Sequence, residues 1–296
     1  MNAELLAWIN SQAWAMLPEA LAGLVARAKA AGAQDGRPQV APTAAANGEA
    51  QAAGAVAVLP LVGTIRQRGG GLFEMFFGGA STQRFTAALR QALADGSIGA
   101  IVIDVDSPGG TVSGVDELAA EIFRARGIKP IVAVANPLAA SAAYWISSAA
   151  TELFVTPTGQ VGSIGVWSMH VDDSKWLEMV GEKVTLISAG KYKVEGNPYE
   201  PLGDEARAAM QADVDEYYGM FVRAVARNRG ASAGDVRGGM GEGRVVTAKR
   251  AVELGMADRV GTLEDAVARA GKLAQGGGKP SNRRADAAAR AVLAGV

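Results

Sequence analysis

Two parts of this sequence are best suited to chemistry. One is a serine whose neighbours have small side chains, and the other is a glycine-rich turn. Ser141 stands in the stretch NPLAASAAYWISSAA, and the pattern there predicts the start of a helix. The turn SPGG at residues 107–110 leaves its backbone amides unshielded by side chains. A hydroxyl beside converging amide donors suits acyl transfer, because each donor stabilises the oxyanion by about 3 kcal/mol. The alternative is that Ser141 is only a helix cap.

A serine nucleophile needs a base, and this sequence offers two kinds. His170 is the single histidine, and with Asp172 or Asp173 as its orienting partner it would complete a Ser-His-Asp triad. The other kind is a lysine, whose pKa must fall from about 10.4 by roughly 3 units to act at neutral pH. Such a lysine must be buried without a carboxylate partner. The residues alone leave both possibilities open.

Strands and helices alternate through the middle of the chain. The pattern predicts helices over 81–95, over 112–126 and from residue 141, and strands over 55–65, 98–106, 129–136 and 152–157. This alternation predicts an α/β fold with a parallel sheet and right-handed crossovers. In such sheets, sites form at the carboxyl ends of strands. SPGG follows Asp106 and Ser141 follows Asn136, so both belong to that edge.

The composition of the chain predicts four regions. Apolar residues at helical spacing over 4–30, broken near Pro18, predict a helical N-terminal arm of two short helices over residues 1–32. A stretch rich in Ala, Gly, Pro, Gln and Asn predicts a linker over 33–54. The main domain is expected over 55–272, followed by a flexible basic tail over 273–296.

The amino-acid totals exclude several classes of function. The 29 basic and 30 acidic residues nearly cancel, so we expect neither nucleic acid nor a membrane surface as a partner. There is no cysteine and one histidine, and nothing in the sequence implies a metal or an organic cofactor. No run of 18 apolar residues occurs and the N-terminus lacks the features of a signal peptide, so a cytoplasmic chain is expected.

A glycine-rich loop near residue 70 carries an apolar tip. No Lys-Ser or Lys-Thr follows the glycines, so the loop does not have the pattern of a phosphate-binding loop. Its apolar residues predict an oligomer contact or a lip over the substrate, and the alternative is that they fold onto the core. These residues are Leu72, Phe73, Met75, Phe76 and Phe77.

Four sequence blocks resemble one known family. They are VIDVDSPGGTVSGVDELAAEI, PLAASAAYWISSAATELFVTPTGQVGSIGVW, LISAGKYKVEGNPYEPL and GRVVTAKRAVELGMADRVGTLEDAV. In this order, over about residues 55–270, they resemble the signal peptide peptidase A family, serine peptidases of the ClpP/crotonase-like fold. The segments WAMLPEAL, MHVDDSKWLE and GNPYEPL resemble its phage and prophage branch, whose members are similar to the capsid-maturation protease head protein C.

The resemblance implies a Ser-Lys dyad. Ser141 matches the family's nucleophile, and the family's pattern of a glycine followed three positions later by the lysine leads from Gly190 to Lys193. Lys191 remains the alternative base, because in an extended segment it would share a face with Lys193.

The resemblance also implies the groups around the dyad. Ser163 matches the hydroxyl that holds the lysine amine, and the amides of Gly110 and Ala142 match the oxyanion hole. The chain departs from the family at Ala142 and Ala143, where two glycines are usual, so the pocket geometry is expected to differ there.

The function implied is that of a serine endopeptidase acting on protein or peptide substrates without a cofactor. The branch resemblance points to capsid assembly and maturation in the host cytoplasm or procapsid, with scaffold or portal proteins as substrates and a homo-oligomeric enzyme. One alternative is a bacterial peptidase for signal-peptide remnants or protein quality control. Two further hypotheses belong to different classes: a non-catalytic capsid scaffold, and a crotonase-like acyl-CoA enzyme, which would need a carboxylate such as Glu117 or Glu121.

Overall fold

The computed structural model describes Ile9 and residues 12–31, 55–70 and 78–276. The expected linker over 33–54, the apolar loop tip at 72–77 and residues 277–296 of the expected tail lie outside these residues. The four-region division of the chain therefore stays a prediction.

The described strands and helices follow one another through the whole of the main domain. The strands are β1 (Trp14–Met16), β2 (Ala55–Val62), β3 (Ile65–Arg66), β4 (Ala80–Ser81), β5 (Ile98–Ser107), β6 (Gly109–Thr111), β7 (Ile131–Ala140), β8 (Glu152–Val155), β9 (Gln160–Gly162), β10 (Val245–Thr247) and β11 (Arg259–Val260). The helices are α1 (Pro18–Ala31), α2 (Thr82–Ala94), α3 (Val115–Ala125), α4 (Ala142–Ser147), α5 (Ser174–Val180), α6 (Asp204–Arg229), α7 (Ala233–Gly239), α8 (Ala248–Glu253) and α9 (Leu263–Ala274).

The larger sheet of the described part has seven strands and is mostly parallel. β2, β5, β7, β8 and β11 run parallel to one another in that order. β7 pairs with β8 along Val132–Ala135 and with β9 along Leu138–Ala140, while β10 adds an antiparallel edge. The predicted α/β class with a parallel sheet is confirmed, and the predicted helix–strand alternation from α2 to β8 is present.

Helices cover both faces of this sheet. The central strand β5 shows why, because its side chains alternate between two apolar clusters. Ile101, Ile103 and Val105 pack into the main core under α2, α3, α4 and α6. Ala100 and Val102 face the other way, against α9. Within the described residues, no helix is both long enough and apolar enough to cross a membrane.

A smaller sheet of the described residues has the order β1-β6-β3-β4, and it corrects the expectation of a wholly helical N-terminal arm. α1 confirms a helix after the break at Pro18, which stands at its first position, as proline often does. Trp14–Met16, however, form a strand. Their spacing fits a helix, but long-range pairing with β6 decides the conformation, since tertiary contacts override weak local preference.

Candidate active site

Ser141 occupies a sharp turn between β7 and α4. Its backbone has φ 55° and ψ −116°, a strained conformation for a residue with a side chain. The turn is fixed on both sides, because the Ser141 amide donates to the Gly162 carbonyl at 2.7 Å and its carbonyl accepts from the Trp145 amide at 2.9 Å. Ser141 stands at the N-cap position of α4, but its side chain makes no capping hydrogen bond.

The helix after Ser141 is anchored firmly in the core. The Trp145 ring stacks on Phe221 of α6, with ring centroids 4.4 Å apart and an interplanar angle of 9°. The Tyr144 hydroxyl donates to the Met256 carbonyl at 3.0 Å, and burial raises the pKa of this phenol, so it stays a neutral donor. These contacts leave α4 little freedom to move, and Ser141 at its start is held with it.

The SPGG turn lies directly beside Ser141, as the positions of the two strand ends predicted. Gly109 has φ +101°, and a Cβ atom on it would lie 3.0 Å from the Cβ of Ser141 and would overlap with the carbonyl oxygen of Ala15. A Cβ atom on Gly110 would overlap with the carbonyl oxygen of Ile65. Both positions therefore need glycine, one for conformation and both for space.

Two backbone amides belong to the segments that meet at the serine. Ala142 is the first residue of α4, so its amide has no acceptor within the helix and lies at the positive end of the helix. Gly110 lies on β6, next to the glycine that touches Ser141. Backbone amides are donors of the kind that an oxyanion requires, and in this structure the register of β1 pairs Gly110 with Ala15.

Ser163 is also brought into the site. It lies between Gly162, which accepts from the Ser141 amide, and Gly165, whose carbonyl accepts from the Ser141 hydroxyl at 3.4 Å. Ser163 has φ 54° and is buried, and its amide donates to the Arg244 carbonyl at 2.8 Å. Of the three non-glycine residues with positive φ in the described ranges, two are thus these neighbouring serines, so the backbone strain is concentrated at this site.

Within the described residues of one chain, no hydrogen bond joins Lys193 to Ser141. It is exposed, in a turn that its own amide closes by donating to the Gly190 carbonyl at 3.2 Å. Among the described residues its ammonium has no hydrogen-bonding or ionic partner. Residues 181–193 are exposed along their whole length and carry apolar side chains, of which Ile187 is 96% exposed. Lys193 therefore belongs to a surface that the single chain leaves uncovered.

Lys191, the alternative base, is held by an acid. Its ammonium donates to the Glu205 carboxylate at 2.6 Å and to the Tyr192 hydroxyl at 2.7 Å. These hydrogen bonds raise the pKa of Lys191, so the amine stays protonated and cannot accept a proton. This difference favours Lys193 over Lys191.

Three of the side chains that a histidine triad or a crotonase-like site would use have partners elsewhere. His170 is half-buried with its Nε2 atom 2.9 Å from the Asn197 carbonyl oxygen, and Asp172 accepts from the Ser174 amide at 2.9 Å. The structure shows no contact between His170 and Ser141 in the part of the chain it describes. Glu121 binds Arg90 at 2.6 Å across α2 and α3. The exposed Glu117 lines the same surface groove as Glu121.

Sequence reasoning missed three features of the site. These are the contact of Gly109 with Ser141, the use of the Gly162 and Gly165 carbonyls to hold the serine, and the strand β1, which lies along β6. The glycines in QVGSIG were a signal for the second feature, since glycine permits close backbone approach. The sequence contains no comparable signal for β1.

Fold and site together define a class of protein. It is an α/β protein in which a strained serine, at a strand-to-helix turn, faces glycine backbone at the end of the neighbouring parallel strand. Residues 124–276 match peptidase family S49, and the chain belongs to this family. The resemblance drawn from the sequence blocks is confirmed.

Two relatives come from bacteriophages. The chain is 38% identical over 212 residues to the head-tail preconnector protein GP5 of Enterobacteria phage P21, covering 72% of this chain and 42% of the relative. It is 37% identical over 212 residues to the capsid assembly protease C of Escherichia phage lambda, covering 72% and 48%. The chain thus spans a little under half the length of each. Among solved structures, it is similar to a mutant of the 1510-N membrane-bound stomatin-specific protease, with a TM-score of 0.46 and 16% identity over 73% of this chain and 84% of that one.

Proposed function

We propose that this chain is a serine endopeptidase with a Ser-Lys dyad, in which Ser141 is the nucleophile and Lys193 the base. The observation that carries the proposal is the strained backbone of Ser141, buried against Gly109 in a chain of peptidase family S49. Strain of this kind persists only where the surrounding structure fixes the conformation, and it is concentrated at active sites.

The groups at the site suit amide hydrolysis. The Ser141 Oγ attacks the substrate carbonyl while its proton passes to the amine of Lys193. The amides of Gly110 and Ala142 bind the oxyanion, each contributing about 3 kcal/mol to the transition state. The lysine then protonates the leaving amine, and water hydrolyses the acyl-enzyme by the reverse route. The Ser163 hydroxyl orients the lysine amine between these steps.

Lys193 acts at the Ser141 of a second copy of the chain in this proposal. The support is the exposed, apolar segment over 181–193, which is typical of a surface that another chain covers. Mixing an inactive Ser141→Ala chain with an inactive Lys193→Ala chain tests this sharing of the dyad. Hydrolysis should return in the mixture, because the first chain supplies the lysine and the second the serine. A mixture as inactive as its components excludes the sharing.

The biological role we propose is cleavage of scaffold or portal proteins during capsid assembly, in the host cytoplasm or inside a procapsid. The support is the identity of 37–38% to the two phage relatives over most of this chain. Co-expression with the products of the neighbouring genes tests it. Cleavage of a capsid-shell protein by the wild-type chain, and not by Ser141→Ala, is expected. Intact shell proteins beside an active enzyme would favour the role in bacterial quality control.

The peptidase activity itself is tested on an unstructured, labelled protein. Ser141→Ala should abolish hydrolysis and keep the melting temperature, whereas the control Ser97→Ala, a hydroxyl bound to Asp95 at 2.7 Å before β5, should keep both. Hydrolysis by Ser141→Ala at the wild-type rate would refute the proposal. The crotonase hypothesis predicts instead that Ser141→Ala leaves acyl-CoA thioester turnover unchanged.

A further inference from the structure

The N-terminal strand β1 lies along the glycine strand of the site. It runs antiparallel to β6, with Ala15 opposite Gly110 and Met16 opposite Gly109. The pairing continues at both ends, where the Leu17 amide donates to the Pro108 carbonyl at 3.0 Å and the Val112 amide donates to the Ala13 carbonyl at 3.2 Å.

A second backbone segment holds the other edge of β1. Trp14 and Trp167 exchange both backbone hydrogen bonds, at 2.8 Å and 3.0 Å, and the Trp167 indole donates to the Met16 carbonyl at 2.9 Å. Successive residues of a strand direct their backbone groups to opposite edges. Because those of Trp14 face Trp167, the backbone groups of Ala15 face Gly110.

This geometry places β1 over the catalytic groups. The amide of Gly110, a proposed oxyanion donor, faces the carbonyl of Ala15. Gly109 touches both β1 and Ser141, since a Cβ atom on it would lie 3.0 Å from the Met16 Cα and 3.0 Å from the Ser141 Cβ. With β1 in place, Ser141 is only 1% exposed. β1 therefore occupies the edge of β6 that an extended substrate would otherwise meet beside Ser141.

Extended peptides bind many proteins in this way, by adding a strand to a sheet edge. We propose that β1 is an intramolecular peptide ligand that occupies the substrate groove, the space between β6 and Trp167. An extended substrate peptide takes the place of β1, with a small residue opposite Gly110 and apolar residues on either side. The inference rests on the proposed peptidase function and adds to it both a means of restraint and a substrate class.

The side chains of β1 define that class. Ala15 is fully buried against the main core, which favours a small residue at this position. Trp14 and Met16 point the other way, into a separate apolar cluster with Leu21 and Leu24 of α1. Trp167 and Met169, outside the arm, border the same cluster. A substrate in the place of β1 would meet the side chains of Trp167 and Met169, so apolar residues are favoured on either side of its small residue.

A disulfide between β1 and β6 tests the exchange. Trp14 and Thr111 are directly opposite, in a pair that does not share hydrogen bonds, where Cα atoms are about 4.5 Å apart and a disulfide can form. The chain has no native cysteine, so Trp14→Cys with Thr111→Cys allows only one disulfide within the chain, and this disulfide holds β1 on β6. Each single-cysteine variant is the control, because its behaviour should not depend on the redox state. Thermal unfolding of both redox forms checks that the locked chain is folded.

Peptide binding is measured in a Ser141→Ala background, where it needs no catalysis. The probe is a fluorescent peptide of residues 11–20, SQAWAMLPEA, followed by anisotropy. The reduced double variant should bind it at least tenfold more tightly than the oxidised form, and Trp14→Cys alone should bind it at least tenfold more tightly than the Ser141→Ala parent. Equal binding in both redox forms, or no binding by the reduced form, would overturn the inference.

Hydrolysis by the same cysteine pair with Ser141 intact separates this inference from the proposed function. The peptidase proposal and the strand exchange are both supported if reduction of the disulfide raises the rate of hydrolysis of an unstructured protein at least tenfold. If the reduced chain binds the peptide but hydrolyses nothing, the peptidase proposal fails and the strand exchange survives. If the oxidised chain hydrolyses the protein as fast as the reduced chain, β1 does not restrain the site.

Discussion

Substitution of Gly109 by alanine tests how closely the glycine turn and the serine must approach. An alanine at φ +101° costs about 1–2 kcal/mol in backbone strain. Its Cβ atom would lie 3.0 Å from the Ser141 Cβ, against about 3.5–4.0 Å for an ordinary carbon contact, so one of the two must move. The methyl also meets the path that β1 follows, and a substrate strand in the same place would meet it too. Displacement of catalytic groups by about 1 Å costs about 100-fold in rate.

We therefore expect Gly109→Ala to lower kcat/KM on an unstructured labelled protein by about 100-fold. The strain alone should lower its melting temperature by about 2–8 °C, at about 2–4 °C per kcal/mol for a domain this size, and the overlap with the Ala15 carbonyl oxygen should add to this fall. The matched control is Gly96→Ala, where a Cβ atom would meet no atom within 4 Å and where φ is not positive. Wild-type activity and melting temperature in Gly109→Ala would refute the close approach.

Two further substitutions test the surroundings of the site. Burial raises the pKa of Asp104 above that of the unfolded chain, so its contribution to stability is present at low pH and is lost as the pH rises through the folded-state pKa. Asp104→Asn should therefore melt above the wild type at pH 7, with the gap closing as the pH falls toward about 4, and a gap independent of pH would contradict this. Phe221→Ala removes the stacking partner of Trp145 and should lower the free energy of unfolding in urea by about 3–5 kcal/mol. The control Ile128→Ala, at a side chain 60% exposed, should change it by less than about 0.5 kcal/mol, and equal effects would show that the stacking does not anchor α4.

The order of elements and the meeting of SPGG with Ser141 could be predicted because both follow from local pattern. Period-two and helical spacing predict the strands and helices, and parallel strands must end at the same edge. The local conformation of Ser141 could not be predicted, since its positive φ depends on hydrogen bonds to Gly162 and Trp145, which pack together only in the folded chain.

The strand β1 was missed for a related reason. Its three residues pair with β6 almost a hundred positions later, and a strand that short has no periodicity of its own. Apolar residues around it at helical spacing favoured a helix instead. The exposed position of Lys193 could not be predicted either, because the residues nearby show which lysine matches the family pattern but not which surface it lies on.

The central claim, that Lys193 is the base for Ser141, is tested most directly by the rate at which a Lys193→Ala chain hydrolyses an unstructured protein, with Lys191→Ala measured beside it. Removal of a general base costs about 10²–10⁴-fold in rate, so the rate of Lys193→Ala should fall by at least about 100-fold. Lys191, held protonated by Glu205, should be dispensable, and its variant should remain near the wild-type rate. Full turnover by Lys193→Ala would contradict the dyad.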